Sequence, residues 1–193
     1  MFNSNREICG YELLFRAPGR HRLRVDLWNA RQQDRATEHV LAAAFFSSND
    51  NHIGEGLPVF VNVTRTYLLD RTSYLHDPRE MVVEVVESAY ADLALSERLR
   101  ELKDLGYRIA VDDFVGTRSQ RDLLDLADYV KIDLRDLDAR GPALIEAARG
   151  SGAILVAERI ETPDEFQMCV DHGFTLFQGH HLEAAEVVER GLA

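Results

Sequence analysis

Cysteine is scarce in this sequence: Cys9 and Cys169 are the two cysteines among 193 residues. Because they lie far apart and form no Cys-x-x-Cys pair, the sequence offers neither a disulfide framework nor a cysteine-ligated metal site. The sequence also lacks an apolar run of membrane-spanning length and a recognisable secretory signal peptide. These absences predict a reduced, cytoplasmic protein that does not associate with membranes.

Basic residues are outnumbered, with 22 lysines and arginines against 33 aspartates and glutamates and a net charge of −11. This charge argues against a nucleic acid polymer as a partner, because proteins bind such polymers by neutralising their phosphates. A small anion held through metal ions stays compatible with the charge. The length and the apolar fraction of 46% fit a protein with one core, so we expect a single domain over residues 1–193.

Short apolar strands alternate with helices along the chain. Strands are predicted at 8–15, 58–63, 81–86, 109–111, 128–133, 153–157 and 175–177, and helices at 34–46, 65–69, 96–105, 119–127, 142–150 and 162–172. Three helix starts rest on capping residues, which are Ser96, Ser119 with Asp122, and Thr162 with Glu165. The alternation indicates an α/β fold with a parallel sheet and crossover helices.

A polar side chain stands at or near the carboxyl end of successive strands. These residues are Asn62, Glu84, Asp112 with Asp113, Lys131 with Asp133, Glu158 and Gln178, while Glu12 lies earlier in its strand. In a (β/α)₈ barrel the carboxyl ends of the strands form one rim, where functional residues from several strands meet. The pattern therefore predicts a barrel with a polar site at this rim.

Two adjacent carboxylates, Asp112 and Asp113, end the strand at 109–111. Like charges this close are costly unless a cation lies between them, although an Asp-Asp pair can also simply start a turn. Together with Glu12, Asn62 and Glu84 they form a set of oxygen ligands, which suits Mg²⁺ or Mn²⁺. Two such ions roughly 3.5–4 Å apart activate water and clamp a phosphodiester.

Other polar residues admit two interpretations each. Lys131 is a candidate for orienting a water molecule or neutralising phosphate charge, and its apolar neighbours in the sequence argue against the alternative of a surface lysine. Arg16 is a candidate phosphate clamp, although an arginine that closes a strand is common. We interpret the adjacent His180 and His181 as solvated turn residues rather than metal ligands.

Taken in order, these residues resemble the motifs of EAL-domain cyclic di-GMP phosphodiesterases. Tyr-Glu-Leu-Leu-Phe-Arg, which contains Glu12 and Arg16, is similar to the family's Glu-x-Leu-x-Arg signature. The later matches are Asn62 in Val-Asn-Val-Thr, Glu84 and Glu87 in Val-Glu-Val-Val-Glu, Asp112-Asp113-Phe114, Lys131-Ile132-Asp133, Ala157-Glu158-Arg159-Ile160-Glu161-Thr162 and Gln178-Gly179. The resemblance covers nearly the whole chain and implies a modified (β/α)₈ TIM-type barrel whose first strand is antiparallel.

The resemblance also implies metal-dependent hydrolysis of cyclic di-GMP to linear pGpG in bacterial second-messenger signalling. Under it, Glu12, Asn62, Glu84 and Asp112 hold one Mg²⁺ or Mn²⁺ ion, and Asp112 and Asp113 hold a second. The remaining roles are catalysis by Lys131, Asp133 and Glu158, substrate binding by Arg16 and Gln178, and support of the loop after Asp113 by Glu87.

The loop after Asp113 departs from the family pattern, because Val115 stands where active members usually carry the first glycine of Phe-Gly-x-Gly. A β-branched residue resists the positive φ that glycine permits, which leaves the second metal ion and the family's homodimer contact in doubt. The alternative function is a catalytically degenerate EAL domain that acts as a cyclic di-GMP receptor or protein-interaction module. The altered motifs of this sequence most resemble those of EAL domains that are fused to HDOD signalling domains.

The first strand of the barrel is expected to be largely missing. Only Met1, Phe2 and Asn3 precede the turn at Ser4 and Asn5. We therefore expect an imperfectly closed barrel of seven full strands. Its unpaired edge at 8–15 would be mobile or covered by a partner subunit.

Overall fold

The computed structural model describes residues 1–15, 29–45, 56–70 and 72–184, and the structural statements below concern these residues. Seven strands form one parallel sheet whose spatial order is the order along the chain. The strands are β1 (Tyr11–Leu13), β2 (Val59–Val63), β3 (Met81–Val85), β4 (Arg108–Val111), β5 (Tyr129–Asp133), β6 (Ile154–Glu158) and β7 (Leu176–Phe177). The α/β class and the curled barrel-type sheet are thus confirmed.

Helices connect the parallel strands. They are α1 (Ala30–Phe45), α2 (Arg65–Leu69), α3 (Leu93–Asp104), α4 (Arg118–Arg121), α5 (Leu134–Arg140), α6 (Ala143–Arg149) and α7 (Pro163–Asp171), with a 3₁₀ turn at Leu124–Leu126. Within the described ranges, no helix has both the length and the apolarity needed to cross a membrane.

The apolar core has two layers because successive strand residues point to opposite faces of the sheet. The larger layer packs the strands against the helices and includes Val61, Val83, Val130 and Leu99. The smaller layer consists of Met1, Phe60, Val82, Ala110, Tyr129 and Val156. Five strand residues of this inner layer lie two positions before a predicted site residue, so the inner layer forms the floor of the polar rim.

Of the three helix starts predicted from capping residues, two are wrong and one is confirmed, and α1 begins four residues before its predicted start at 34. Helix α3 begins before Ser96, because the Asp92 side chain accepts a hydrogen bond from the Leu95 backbone N–H and caps the helix there. The helix predicted at 119–127 is broken into α4 and the 3₁₀ turn, and Thr117 caps α4 in place of Ser119. At α7, Thr162 and Glu165 form the predicted capping box.

Helix α5 was not predicted. It follows β5 without a loop, and the side chain of Asp133 accepts a hydrogen bond from the Arg135 backbone N–H at 2.9 Å to cap it. An aspartate at a strand end therefore also serves as a helix N-cap, which the strand pattern alone did not reveal.

The N-terminal segment joins the two edges of the sheet. Phe2 forms antiparallel bridges to Phe177 of β7 and to Ile8, which precedes β1. Phe2 N–H donates to the Phe177 carbonyl at 2.9 Å, and Phe177 N–H donates back at 2.8 Å. The expectation of seven full strands is confirmed. The expectation of an unpaired edge that is mobile or covered by a partner subunit is corrected, because Phe2 of the same chain forms one antiparallel residue pair on each side of the gap.

Candidate functional site

Five polar residues lie on the inner side of the sheet, within or directly after β2 to β6. Each follows an inner-core residue of its strand by two positions, so strand alternation turns both residues to the same side of the sheet. They are Asn62, Glu84, Asp112, Lys131 and Glu158. Glu12 of β1 and Gln178 after β7 reach the same cluster. The structure thus brings together residues that the sequence placed at separate strand ends.

Lys131 stands at the centre of this cluster, with its side chain 1% exposed. Its Nζ lies 3.2 Å from Glu12 Oε2, 3.1 Å from Asp112 Oδ1 and 2.9 Å from Glu158 Oε1. It also donates to Glu84 Oε1. A surface lysine is therefore excluded. Because one ammonium carries a single positive charge, the four carboxylates leave the cluster with surplus negative charge.

Burial shifts the protonation equilibria of the cluster. It raises the pKa of Glu158 to about 8, although Lys131 opposes the shift. Burial also raises the pKa of Glu84 well above its usual value, and the charges of Glu12 and Asp112 add to the rise. For Lys131, burial alone would lower the pKa, but the surrounding carboxylates outweigh it and raise the pKa well above its usual value. Lys131 therefore stays an ammonium at neutral pH.

Two amides orient the carboxylate of Glu12. Gln178 Nε2 donates to Glu12 Oε2 at 2.7 Å, and Asn62 Nδ2 donates to Glu12 Oε1 at 3.4 Å. Two buried oxygens of the cluster, Glu84 Oε2 and Gln178 Oε1, have no hydrogen-bond partner in the structure. Buried acceptors are normally satisfied, so these two are free to receive a cation or a ligand N–H.

A second group of oxygens lies beside the Lys131 cluster. One carboxylate oxygen from each of Glu87, Asp112 and Asp113 lies within 4.8 Å of the other two. Burial raises the pKa of Asp113 to about 6, and the neighbouring charges of Asp112 and Glu87 contribute. Asp113 also has a φ of +40°, a conformation that aspartate tolerates better than most residues. The two groups meet at Asp112.

These features fit hard divalent cations. All the candidate ligands offer oxygen, negative charge is in surplus, and Glu84 Oε2 is buried without a partner. Oxygen ligands of this kind suit Mg²⁺, Mn²⁺ or Ca²⁺ rather than zinc. Of the four ligands predicted for a first ion, Glu12, Glu84 and Asp112 contact the ammonium of Lys131, and Asn62 bonds to Glu12.

The loop after Asp113 is not strained at Val115, contrary to expectation. Val115 does not adopt a positive φ, whereas Asp113 and Gly116 do, at +40° and +71°. The positive φ angles thus fall two residues before and one residue after Val115, the position where the family carries glycine. A β-branched side chain is therefore accommodated at Val115.

Gln120 holds this loop, and the sequence interpretation missed it. Its buried amide Nε2 donates to the Asp113 carbonyl at 2.8 Å and to the Asp112 carbonyl at 3.4 Å. Its Oε1 accepts from Val115 N–H at 3.0 Å and from Thr117 N–H at 3.3 Å. The signal in the sequence for this role is the Thr-x-x-Gln spacing of a capping box, which overlaps the Ser119 and Asp122 pair.

Asp133 is bonded to arginines rather than to Lys131. Burial alone would raise its pKa, but hydrogen bonds from Arg135 and the charge of Arg159 lower it. Its Oδ2 lies 2.7 Å from Arg135 Nη2 and 2.6 Å from Arg159 Nε. The two arginines were also missed, because their pairing depends on side chains from α5 and from the residue after β6.

The two discarded histidines lie away from these clusters, and one predicted residue cannot be placed. Arg16 falls outside the described residues. His180 is exposed, and His181 Nε2 lies 3.2 Å from Arg6 Nη2, with its ring 6.5 Å from that of Phe166. These contacts agree with the interpretation of the histidines as turn residues.

Solved structures share the fold. The chain aligns with a Bacillus subtilis protein, YkuI, solved with an EAL domain in complex with substrate c-di-GMP and calcium, at a TM-score of 0.63 and 22% identity. That alignment covers 85% of this chain and 46% of YkuI. This chain also aligns with the EAL domain of Mycobacterium smegmatis DcpA at a TM-score of 0.62 and 24% identity, and the alignment covers 80% of each chain.

Curated relatives match the chain over nearly its full length. The cyclic di-GMP phosphodiesterase CdgJ of Vibrio cholerae is 32% identical over 98% of this chain and 44% of its own length. The uncharacterised protein YuxH of B. subtilis is 28% identical over 97% of this chain and 46% of its own length. The chain thus spans about half the length of these relatives.

The profile of the EAL domain matches residues 4–185. This match takes in all seven strands and the polar cluster at their carboxyl ends, and so the chain belongs to the EAL domain family.

Proposed function

We propose that this chain hydrolyses one phosphodiester bond of cyclic di-GMP to give linear pGpG, with Mg²⁺ or Mn²⁺ as cofactor. The observation that carries the proposal is the buried Lys131 cluster joined through Asp112 to a second group of carboxylates. A site whose ligands are all oxygen atoms and whose net charge is negative would repel an anionic substrate unless divalent cations bind there. Such a site is suited to metal-assisted phosphodiester hydrolysis.

In this proposal Glu12, Asn62, Glu84 and Asp112 would hold one ion, and Asp112 and Asp113 would hold a second. Such cations, when bound, would neutralise charge at the phosphate and lower the pKa of a water molecule. Asp112 belongs to both sets because its carboxylate lies between the two groups of oxygens. The orientation of Glu12 by Gln178 and Asn62 fixes one wall of the first ion's site.

Lys131 and Glu158 have different roles at the attacking water. Because Lys131 stays protonated, it acts as a hydrogen-bond donor that orients the water and stabilises charge on the phosphoryl oxygens. Glu158 in its ionised form takes the proton from the water, and the ammonium of Lys131, 2.9 Å away, favours that form. The water oxygen bonds to phosphorus, and the bond from phosphorus to the ribose 3′ oxygen breaks. That oxygen takes a proton from solvent.

Four further residues have proposed roles around the reaction centre. Asp133 positions groups beside the site, Arg16 and Gln178 contact the substrate, and Glu87 supports the Asp113 loop. A homodimer or a fused signalling domain is the proposed protein partner.

A receptor without turnover is the second candidate. It is favoured by the fact that three of the four ligands proposed for the first ion already contact Lys131, which partly neutralises them without a metal. A receptor would bind cyclic di-GMP and leave it intact.

One incubation separates the two functions. Pure protein is mixed with cyclic di-GMP and Mn²⁺, and the nucleotides are separated by chromatography over time, with a parallel sample in EDTA as control. Linear pGpG that forms with Mn²⁺ and not with EDTA supports the phosphodiesterase. Binding measured by calorimetry without product supports the receptor, and the absence of both rejects cyclic di-GMP as the ligand.

A further inference from the structure

Two exposed arginines share one buried carboxylate at the rim. Arg135 of α5 donates from Nε and Nη2 to Asp133, and Arg159, which follows β6, forms an ion pair with the same Oδ2 atom through its Nε at 2.6 Å. The Asp133 side chain is 3% exposed, whereas those of Arg135 and Arg159 are 69% and 57% exposed. The carboxylate therefore fixes both guanidinium groups while much of their donor surface faces solvent.

The arrangement carries an unbalanced positive charge. Two guanidinium groups and one carboxylate sum to +1, whereas the neighbouring Lys131 and Asp113 groups are in negative surplus. Guanidinium groups present several N–H donors in one plane, and this geometry matches phosphate oxygens. A phosphate would balance the charge and use donors that Asp133 leaves free.

The backbone at Arg159 is held in an unfavourable conformation. Its φ is +61°, in the left-handed region that glycine occupies most easily. A non-glycine residue in a sparsely populated conformation is strained, and such residues cluster at functional sites. An arginine that is kept there against this strain points to a use for its guanidinium group.

The pair lies beside the proposed reaction centre. Asp133 is two residues beyond Lys131 on the same face of β5, which separates them by about 7 Å along the strand. Asp133 also pairs in register with Glu158 of β6, and the charge of Asp113 acts on Arg135. A ligand held at the carboxylates therefore comes within reach of both arginines.

We propose that Arg135 and Arg159 form the binding site for the phosphate group of cyclic di-GMP that is not cleaved. This inference rests on the proposed function. Cyclic di-GMP carries two phosphodiesters in one ring, so a site that hydrolyses one of them needs a separate group of donors for the other. Asp133 acts here as a positioning residue that orients the two arginines.

The test uses two substrates that differ in the number of phosphates. Arg135→Gln and Arg159→Gly are expected to weaken cyclic di-GMP binding about tenfold each, the loss typical of one charge-assisted contact. In turnover with Mn²⁺ the loss should appear in KM, with kcat changed less than about threefold. Hydrolysis of bis(p-nitrophenyl) phosphate, which has one phosphate, should keep the parent KM.

Arg140→Gln is the matched control. Arg140 lies on the same helix, is 51% exposed and faces Asp136 at 3.9 Å, so its loss removes an equal charge without touching Asp133. This variant should bind cyclic di-GMP as the parent does. Arg159→Gly relieves the positive φ, so its fold should be retained even if Arg135→Gln loses stability.

Parent-like cyclic di-GMP affinity in both variants would overturn the inference and leave the proposed function standing. A loss of kcat at unchanged affinity would overturn it too, because the arginines would then act on the reaction itself. A parent protein that neither binds nor hydrolyses cyclic di-GMP would reject the proposed function, and this inference with it.

Discussion

Asp112 is the residue on which both groups of oxygens depend. It contacts Lys131 Nζ at 3.1 Å and also belongs to the group formed with Glu87 and Asp113. Its neighbours differ in this respect, because Glu84 lies only in the first group and Asp113 only in the second. A change at Asp112 should therefore disturb both proposed cation sites together.

Asp112→Asn should abolish turnover of cyclic di-GMP. The amide keeps the shape of the side chain but removes the charge that would bridge two cations. Product formation is measured by chromatography with Mn²⁺, and circular dichroism checks that the variant is folded. Turnover near the parent rate would reject a two-metal site that depends on Asp112.

Glu158 makes the stability of the metal-free protein depend on pH. Its pKa rises from 4.5 in a free chain to about 8 in the folded protein. In that interval the folded state binds a proton that the unfolded state has lost, so the free energy of unfolding falls as pH rises. Lys131 has no such effect there, because its pKa is raised above 10.5 and it stays protonated in both states.

Glu158→Gln removes this dependence. Relative to the parent, the variant should gain about 1–2 kcal/mol of unfolding free energy between about pH 6 and about pH 8. Urea denaturation in EDTA at several pH values measures the difference. A difference that is constant or that shrinks with rising pH would show that Glu158 ionises normally in the folded protein.

At the scale of elements, the loop between β4 and α4 is fixed by one side chain rather than by its glycine. Gln120 bonds to both ends of the loop, accepting two backbone N–H groups and donating to two carbonyls. The N–H of Phe114 adds a bond to the Lys131 carbonyl at 2.9 Å. The loop that carries Asp113 is therefore anchored to α4 and to β5.

Gln120→Leu should weaken Mn²⁺ binding several-fold or more and increase hydrogen exchange at the amides of Val115 and Thr117. Leucine keeps much of the volume but removes every side-chain hydrogen bond to the loop, which then no longer fixes Asp113. Calorimetric Mn²⁺ titration and hydrogen exchange measure the two effects. Thr117→Ala is the control, since it removes the cap of α4 but leaves the bonds from Gln120 to the carbonyls.

Val115→Gly should bring no increase in rate or in Mn²⁺ affinity. Val115 does not need the conformation that glycine permits, and the added freedom should lower the unfolding free energy by roughly 0.5–1 kcal/mol. Steady-state rates at several Mn²⁺ concentrations, together with thermal melts, measure both. A clear gain in activity would show that Val115 does limit this loop.

At the scale of the whole molecule, closure of the barrel depends on residues that are not part of a full strand. The Met1 carbonyl accepts from Cys9 N–H at 2.9 Å, and Phe2 exchanges two bonds with Phe177. These contacts tie β7 to the segment before β1. Gln178 follows β7, and Glu12 lies in β1. The bond of 2.7 Å between the Gln178 and Glu12 side chains crosses the same seam.

Phe2→Pro should open this seam. Proline lacks the N–H that donates to Phe177, so the melting temperature should fall with a loss of about 1 kcal/mol or more. Hydrogen exchange at Phe177 should increase, while exchange in β3 and β4 should not. Ser4→Ala, at the exposed turn, is the control, and an equal effect of both changes would contradict a specific role for Phe2.

The sequence by itself determined the α/β class, the strand order and the set of residues that meet at the rim. These properties are local: the alternation of strands and helices sets the class, and the position of a polar residue at a strand end sets the rim on which it lies. Asn62, Glu84, Asp112, Lys131 and Glu158 could thus be named in advance.

Only the tertiary structure decided which side chains contact one another. Three arrangements join side chains from different elements. Lys131 is buried among four carboxylates, Gln120 bonds to the Asp113 loop, and two arginines pair with Asp133. The closure at Phe2 also joins segments 175 residues apart in sequence, Phe2 with Phe177. Spacing along a chain carries no information about such pairs, because they arise when the sheet curls and brings distant strand ends to one place.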